Sequence, residues 1–119
     1  MSTVRESSKD QERWDEIGRQ RLDQIVKDPT AFVTDSSPYE AKAFHDDLLT
    51  SLGPPQGKRI LELGSGRGEF SVFLAKQGAE VTGIDIGSHL VEASSLLAEI
   101  NHVKAQFLQA NVTRLAFGT

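Results

Sequence analysis

The 119-residue chain has no cysteine, few aromatic residues and no long hydrophobic run. Without cysteine it can form neither a disulfide bond nor a thiolate metal site. No apolar run approaches the ~20 residues that a bilayer-spanning helix needs, and the polar N-terminus lacks the apolar stretch of a secretion signal. These absences argue against membrane-bound and secreted proteins, and they predict a cytoplasmic protein without a membrane partner.

Positive charge is also scarce, because 13 basic residues face 17 acidic ones and the formal net charge is −4. A nucleic-acid-binding surface needs clustered Lys and Arg, whereas the basic residues here are scattered along the chain. The histidines His45, His89 and His102 are dispersed and lack the spacing of a metal-ligand set. The composition therefore predicts neither a nucleic-acid partner nor a metal site.

The residues that are present suffice for one small domain, since 38% of them are hydrophobic and 25% are charged. The sequence pattern divides this domain into three segments. Residues 1–8 are polar and are predicted to be a disordered tail, residues 9–57 form an N-terminal helical segment, and residues 58–119 alternate between strand and helix patterns.

The helical segment has the pattern of two helices. The first runs from Lys9 to a stop at Pro29, and the second begins at a capping box in which Ser37 is the N-cap and Glu40 completes the box. The sequence "GPPQG" at 53–57 ends the second helix. The apolar stripe of the first helix, with its tryptophan as the packing anchor, is predicted to contain Trp14, Ile17, Leu22, Ile25 and Val26.

The remaining segment changes its periodicity repeatedly between that of a strand and that of a helix. Strands that alternate with helices imply a parallel sheet with right-handed crossovers, so the predicted fold class is α/β. The predicted strands are 59–63, 80–85 and 103–110, and the predicted helices are 69–77 and 88–101.

A glycine-rich loop follows the first predicted strand, in the sequence "ILELGSGRGEF" at 60–70. Glycines Gly64, Gly66 and Gly68 at alternate positions let the backbone approach a ligand closely, and the following helix start offers unpaired N–H groups. Asp85 ends the second predicted strand, so it should lie at the same edge of the sheet as the glycine loop. This combination predicts a ligand cradle.

Two ligands fit such a cradle, and the acidic residues distinguish them. A dinucleotide loop needs a small residue where this chain has Glu69, and Glu62 and Glu69 would flank the pyrophosphate. Like charges ~4 Å apart cost about 4 kcal/mol at an effective dielectric of ~20. S-adenosylmethionine is net cationic, and its ribose diol suits a carboxylate at position 85. The charges favour this cofactor, and an NAD-linked oxidoreductase remains the minor alternative.

The chain from residue 60 onward resembles the cofactor half of class I S-adenosylmethionine-dependent methyltransferases. The acidic residue and glycines of the family's first motif match "ELGSGRG", and the acidic end of its second strand matches Asp85. The Asp-Ala pair of the family, which meets the adenine, is replaced by Asn111-Val112. The cofactor-binding residues that the resemblance implies are Glu62, Gly64, Ser65, Gly66, Gly68, Asp85, Ile86, Asn111 and Val112.

The resemblance implies a truncated Rossmann-like sheet of three strands, preceded by two N-terminal helices. It also implies a methyltransferase that acts on a small molecule, although no residue of this chain can be identified as a catalytic base. The chain stops at Thr119, just after the third predicted strand, where the family continues. We therefore expect a fragment, or a chain that pairs with a second copy or with a missing C-terminal half along the 59–63 edge.

A non-catalytic module that binds the adenosyl cofactor, or that acts only through association, is the main alternative to an enzyme. The short sheet favours this alternative, because an open strand edge is a template for another chain. A role for His89 on the adenine side of the site is the minor alternative, and a solvated residue in the first turn of a helix is the favoured interpretation.

Overall fold

The computed structural model of the chain describes residues 3–33 and 49–111. They form a three-stranded sheet with a layer of helices, and the element bounds agree closely with the predicted strands and helices. The elements in chain order are α1 (Thr3–Lys27), the short 3-10 helix η1 (Pro29–Phe32), β1 (Arg59–Leu63), α2 (Glu69–Lys76), β2 (Glu80–Asp85), α3 (Ser88–Ile100) and β3 (Ala105–Gln109).

The sheet has the order β1-β2-β3, and both strand pairs are parallel. Its register aligns Leu63 with Ile84 and Ile84 with Leu108, so the carboxyl ends of the three strands lie at one edge. The predicted α/β class with a parallel sheet is confirmed. This edge receives both the loop after β1 and the end of β2, which places the glycine loop beside Asp85.

The hydrophobic core lies between the sheet and the helices and includes α1. Ile25 of α1 is 1% exposed and packs in one cluster with Val72 of α2, Leu97 of α3 and Phe107 of β3. Burying such a side chain stabilises the fold by about 1.5–3 kcal/mol relative to leaving it exposed. The N-terminal helix is therefore part of the same core as the sheet.

Three expectations for the N-terminal helix are wrong. The helix begins at Thr3, so residues 3–8 are not a disordered tail, because a helix can extend beyond its packed face by adding one backbone hydrogen bond per residue. Trp14 is 41% exposed and does not anchor the core, since α3 begins at Ser88 and α1 extends past that end. Val26 is 65% exposed, because the buried stripe passes through Ile25.

The predicted second helix is described only at its end. Ser37 and Glu40, with the rest of the predicted capping box, lie outside the described residues. Residues 49–52 are helical, and Leu49 packs against the cluster around Leu74 and Val81. Gly53 follows with a φ of 80°, in the left-handed conformation that favours glycine at a helix end.

One side of β1 is open within the described part of the chain, since β1 pairs with β2 alone. Two leucines of β1 are exposed, Leu61 at 46% and Leu63 at 55%. Pairing of another chain or a C-terminal half along 59–63 stays a prediction. Of the helices in the described ranges, none has the length and apolar character needed to cross a membrane.

Candidate functional site

The glycine loop joins β1 to α2 in a conformation that requires glycine. The φ angles of Gly64, Gly66 and Gly68 are 72°, 57° and 81°, all in the left-handed region. A side chain at any of these positions would be strained, because Cβ crowds the following carbonyl oxygen there. The alternate glycines of the sequence therefore build one sharply folded loop at the carboxyl end of β1.

The three glycines face different surroundings. A Cβ added at Gly64 or Gly66 would meet no atom within 4 Å, whereas a Cβ at Gly68 would lie 2.7 Å from the Ser94 side chain. The first two glycines thus leave open space above the loop, where a ligand can approach the backbone. Gly68 instead allows the loop to pack tightly against α3.

Four amide groups of the loop are already used within the chain. Gly64 N and Ser65 N donate to Ile84 O at 2.8 and 3.0 Å, and Gly68 N donates to Ser65 O at 3.0 Å. Gly66 N donates to Asp85 Oδ2 at 2.8 Å. A phosphate-binding loop works by presenting such amides to the anion. The amides of these four residues are therefore not available to a pyrophosphate.

Asp85 lies at the centre of the site and is 8% exposed. Its carboxylate accepts from Gly66 N at 2.8 Å and, through the other oxygen, from Gly87 N at 3.1 Å. A carboxylate offers about four lone-pair positions, so roughly two of them stay available to a ligand. Asp85 therefore ties the glycine loop to the start of α3 and can still accept hydrogen bonds from hydroxyl groups.

Glu62 is partly buried next to this carboxylate. Burial raises the pKa of Glu62, a hydrogen bond from Ser71 lowers it in part, and the nearby charge of Asp85 raises it further. Ser71 Oγ donates to Glu62 Oε1 at 2.5 Å. The charge of Asp85 disfavours the charged form of Glu62, and a cation placed beside the two carboxylates would relieve that repulsion.

Glu69, which the sequence placed beside the ligand space, is paired with Arg21 and so does not offer an unpaired charge there. Arg21 of α1 donates to Glu69 Oε1 at 2.5 Å, and the Arg21 side chain is only 17% exposed. Burial lowers the pKa of Arg21, and the nearby charge of Glu69 partly offsets this decrease. The charge of Glu69 is thus neutralised by a residue of another helix. This pairing could not be predicted from the sequence, because the two residues are 48 positions apart.

The other predicted site residues in the described ranges lie along the same sheet edge. Ile86 is partly buried, and its carbonyl oxygen accepts from Gln109 Nε2 at 3.1 Å. Asn111 follows Ala110, whose N–H donates to Asp85 O at 2.9 Å. Val112 lies outside the described residues. Ser65 is 9% exposed and its Oγ has no hydrogen-bond partner in the described chain, so it faces the sheet more than the open cradle.

Two serines that the motif did not identify support the site. Ser71 on α2 holds Glu62, and Ser94 on α3, which is 0% exposed, donates to Gly66 O at 3.0 Å. The first contact joins residues 9 positions apart in the sequence, and the second joins residues 28 positions apart. Among the described residues, no group of three or more His, Asp or Glu side chains is arranged to hold a metal ion.

An apolar cavity of about 120 Å³ lies beside the loop, between α1, η1, α2 and α3. The ion pair of Arg21 and Glu69 forms its polar part, and Arg21 also lies 5.1 Å over the ring of Phe32. Glu69 directly follows Gly68, so this polar part adjoins the glycine loop. Its lining residues are Arg21, Ile25, Phe32, Glu69, Val72, Phe73 and Leu97.

Comparison with known proteins agrees with this geometry. A Geobacillus sp. (strain WCH70) protein with a provisional methyltransferase name is 39% identical over 80 residues, which are 66% of this chain and 32% of that protein. The structure of Pyrococcus abyssi tRNA (uracil-54, C5)-methyltransferase with S-adenosyl-L-homocysteine matches at a TM-score of 0.56 and 27% identity, over 73% of this chain and 22% of that one.

A third similarity concerns the fold alone. Magnesium protoporphyrin IX methyltransferase from Synechocystis PCC 6803 matches with a TM-score of 0.61 and 19% identity, over 92% of this chain and 53% of that chain. The chain thus spans about a third of the Geobacillus protein and less than two thirds of either structural neighbour. The family model described as "Methyltransferase domain" matches residues 60–119, and the chain therefore belongs to this methyltransferase family.

Proposed function

We propose that this chain is the cofactor-binding part of an S-adenosyl-L-methionine-dependent methyltransferase. The observation that supports this most directly is the open glycine cradle at Gly64 and Gly66, together with an aspartate whose carboxylate lies 2.8 Å from the Gly66 amide. The cradle has room for a ligand, and the Asp85 carboxylate has remaining acceptor capacity for the two hydroxyl groups of a ribose.

The charges of the site fit this cofactor better than they fit a dinucleotide. Burial raises the pKa of Glu62 and the charge of Asp85 raises it further, and four of the loop amides already donate to acceptors of the chain itself. A ligand with a sulfonium and an ammonium group relieves this repulsion, whereas a diphosphate adds to it. The NAD alternative is therefore disfavoured by the loop amides as well as by the acidic side chains.

In this proposal the residues of the chain bind and orient the cofactor. The cofactor, when bound, supplies an electrophilic methyl group on a positively charged sulfur. Asp85 holds the ribose hydroxyls, and Glu62 stabilises the positive charge of the cofactor. The backbone of the glycine loop sets how closely the cofactor approaches the sheet. Methyl transfer then depends on an acceptor placed within ~3–3.5 Å of the methyl carbon. We assign no general base to the described residues.

We further propose that the acceptor is a small molecule. The net charge of −4 and the scattered basic residues do not suit an RNA surface. The apolar cavity of about 120 Å³ beside the loop suits a group of roughly benzene size. The similar proteins include both a tRNA methyltransferase and a porphyrin methyltransferase, so substrates differ widely among them.

Calorimetric titration with S-adenosylhomocysteine tests the proposal. We expect saturable binding with one site per chain, and no binding of NADH or of a tRNA transcript in parallel titrations. Binding of NADH without binding of S-adenosylhomocysteine would overturn the cofactor assignment, and binding of tRNA would overturn the small-molecule assignment. Absence of binding by all three ligands would leave an association module as the better description of the chain.

Replacing Glu62 by glutamine should have opposite effects on cofactor affinity and stability. Glutamine keeps an acceptor for Ser71 but removes the charge, so we expect about tenfold weaker S-adenosylmethionine binding. Because the folded pKa of Glu62 is raised above 4.5, its ionisation lowers the free energy of unfolding as pH rises through that range. We therefore expect glutamine to stabilise the free protein at neutral pH.

Thermal unfolding at several pH values, combined with calorimetry, measures both effects. The wild-type protein should lose stability relative to Glu62→Gln as pH rises from 4.5 through the raised pKa, and the two should converge at lower pH. Glu80→Gln is a suitable control, since that side chain is exposed at the opposite end of the sheet. Equal cofactor affinity of Glu62→Gln and wild type would contradict the charge argument.

A further inference from the structure

The start of α3 is held by a side chain from another helix. The N-cap position of α3 is Gly87, which has no side chain to cap the helix, and the first turn contains no acidic residue. Asp15 of α1 supplies the missing cap, because its Oδ1 accepts from Ser88 Oγ at 3.0 Å and from His89 N at 3.3 Å. A carboxylate at this position satisfies an unpaired amide and complements the positive end of the helix dipole.

The helices approach closely at the same place. A Cβ added at Gly18 would overlap the amide nitrogen of Leu90 and lie 2.5 Å from the carbonyl carbon of His89. A Cβ added at Gly87 would lie 3.3 Å from the carbonyl carbon of Trp14. The turn of α1 around Asp15 is therefore packed directly on residues 87–90.

The start of α3 is in turn linked to the glycine loop by two routes. Asp85 accepts from both Gly87 N and Gly66 N, at 3.1 and 2.8 Å, and thus bridges the helix start and the loop. Further along α3, Ser94 Oγ donates to Gly66 O at 3.0 Å. A displacement of α3 would therefore change both the orientation of the Asp85 carboxylate and the position of Gly66.

We propose that Asp15 is a positioning residue for the cofactor site, although it lies 45 residues before the family-matched segment begins at residue 60. By capping α3 from outside, it fixes the backbone at 85–87 and keeps Asp85 directed at the ligand space. The cofactor-binding geometry thus includes α1, a helix that precedes the matched segment. This inference rests on the proposed binding of the adenosyl cofactor.

The test compares Asp15→Ala, Asp15→Asn and Asp23→Ala in the full 119-residue chain. Asparagine keeps an oxygen that accepts from Ser88 and His89, and Asp23 is an exposed aspartate of the same helix. Calorimetry with S-adenosylhomocysteine is done well below each variant's unfolding temperature. We expect about fivefold weaker binding for Asp15→Ala and binding within about twofold of wild type for the other two variants.

Hydrogen exchange at residues 86–90 provides the readout that does not need a cofactor. Asp15→Ala should lose protection of the His89 amide, and Asp15→Asn should retain it. Unchanged cofactor affinity of Asp15→Ala despite a lower unfolding temperature would show a merely structural role and overturn the proposal. Equal weakening by alanine and asparagine would also overturn it. If wild type itself binds no S-adenosylhomocysteine, the proposed function fails, whereas unaltered exchange in Asp15→Ala refutes the capping role separately.

Discussion

Asp85→Ala is expected to weaken S-adenosylhomocysteine binding by on the order of 100-fold. The substitution removes the acceptor proposed for both ribose hydroxyls, and hydrogen bonds to a charged group contribute about 1.5–3 kcal/mol each. It also removes the bridge between Gly66 N and Gly87 N, so the loop loses its link to α3. Calorimetric titration of folded protein, checked by circular dichroism, measures the change.

His89→Ala is the matched control for this prediction. His89 lies four residues after Asp85, and the hydrogen bond that it gives to Asp15 comes from its backbone N–H, which alanine retains. We expect its affinity to stay within about threefold of wild type. Asp85→Asn should fall between the two, because it keeps one acceptor oxygen without the charge. Equal losses for alanine at positions 85 and 89 would remove the ribose assignment.

Gly18→Ala is expected to lower the free energy of unfolding by about 3 kcal/mol. The added methyl group would overlap the backbone of α3 at His89 and Leu90, which cannot yield by changing a rotamer. The helices would have to separate, and Ile25 of the same helix would lose part of its burial. Chemical denaturation of the variant and the wild type measures the difference.

Helix propensity alone predicts that Gly18→Ala raises the free energy of unfolding. Alanine in a helix interior is favoured over glycine by about 0.8–1.0 kcal/mol, so an uncrowded position 18 would become more stable. Gln24→Ala, an exposed position on the same helix, should change the free energy of unfolding by no more than about 0.5 kcal/mol. A stabilised Gly18→Ala variant would show that α1 and α3 do not pack as closely as the structure indicates.

Local patterns predicted the strand–helix alternation because each pattern depends on neighbouring residues. The strands at 59–63 and 80–85 were predicted with the bounds that the structure has, and the third strand is shorter at both ends, at Ala105–Gln109. The position of Asp85 beside the glycine loop also follows from the sequence, since parallel strands end at one edge. Family membership follows from the same ordered motifs.

The contacts of the acidic side chains could not be predicted in this way. Glu69 was expected to face the ligand, yet it pairs with Arg21, 48 residues earlier in the chain. Asp15 caps a helix that begins 73 residues later. Such pairings depend on the angle and distance at which two helices cross, and the spacing of residues within each helix does not encode those quantities.

The sequence by itself determined the order of strands and helices, the glycine loop after β1 and the carboxylate at the end of β2. Only the tertiary structure decided that four of the loop amides are already occupied, and that α1 is packed against the start of α3. The physical reason is that backbone conformation and periodicity are local properties. Hydrogen-bond partners and close approaches are set by the packing of whole elements.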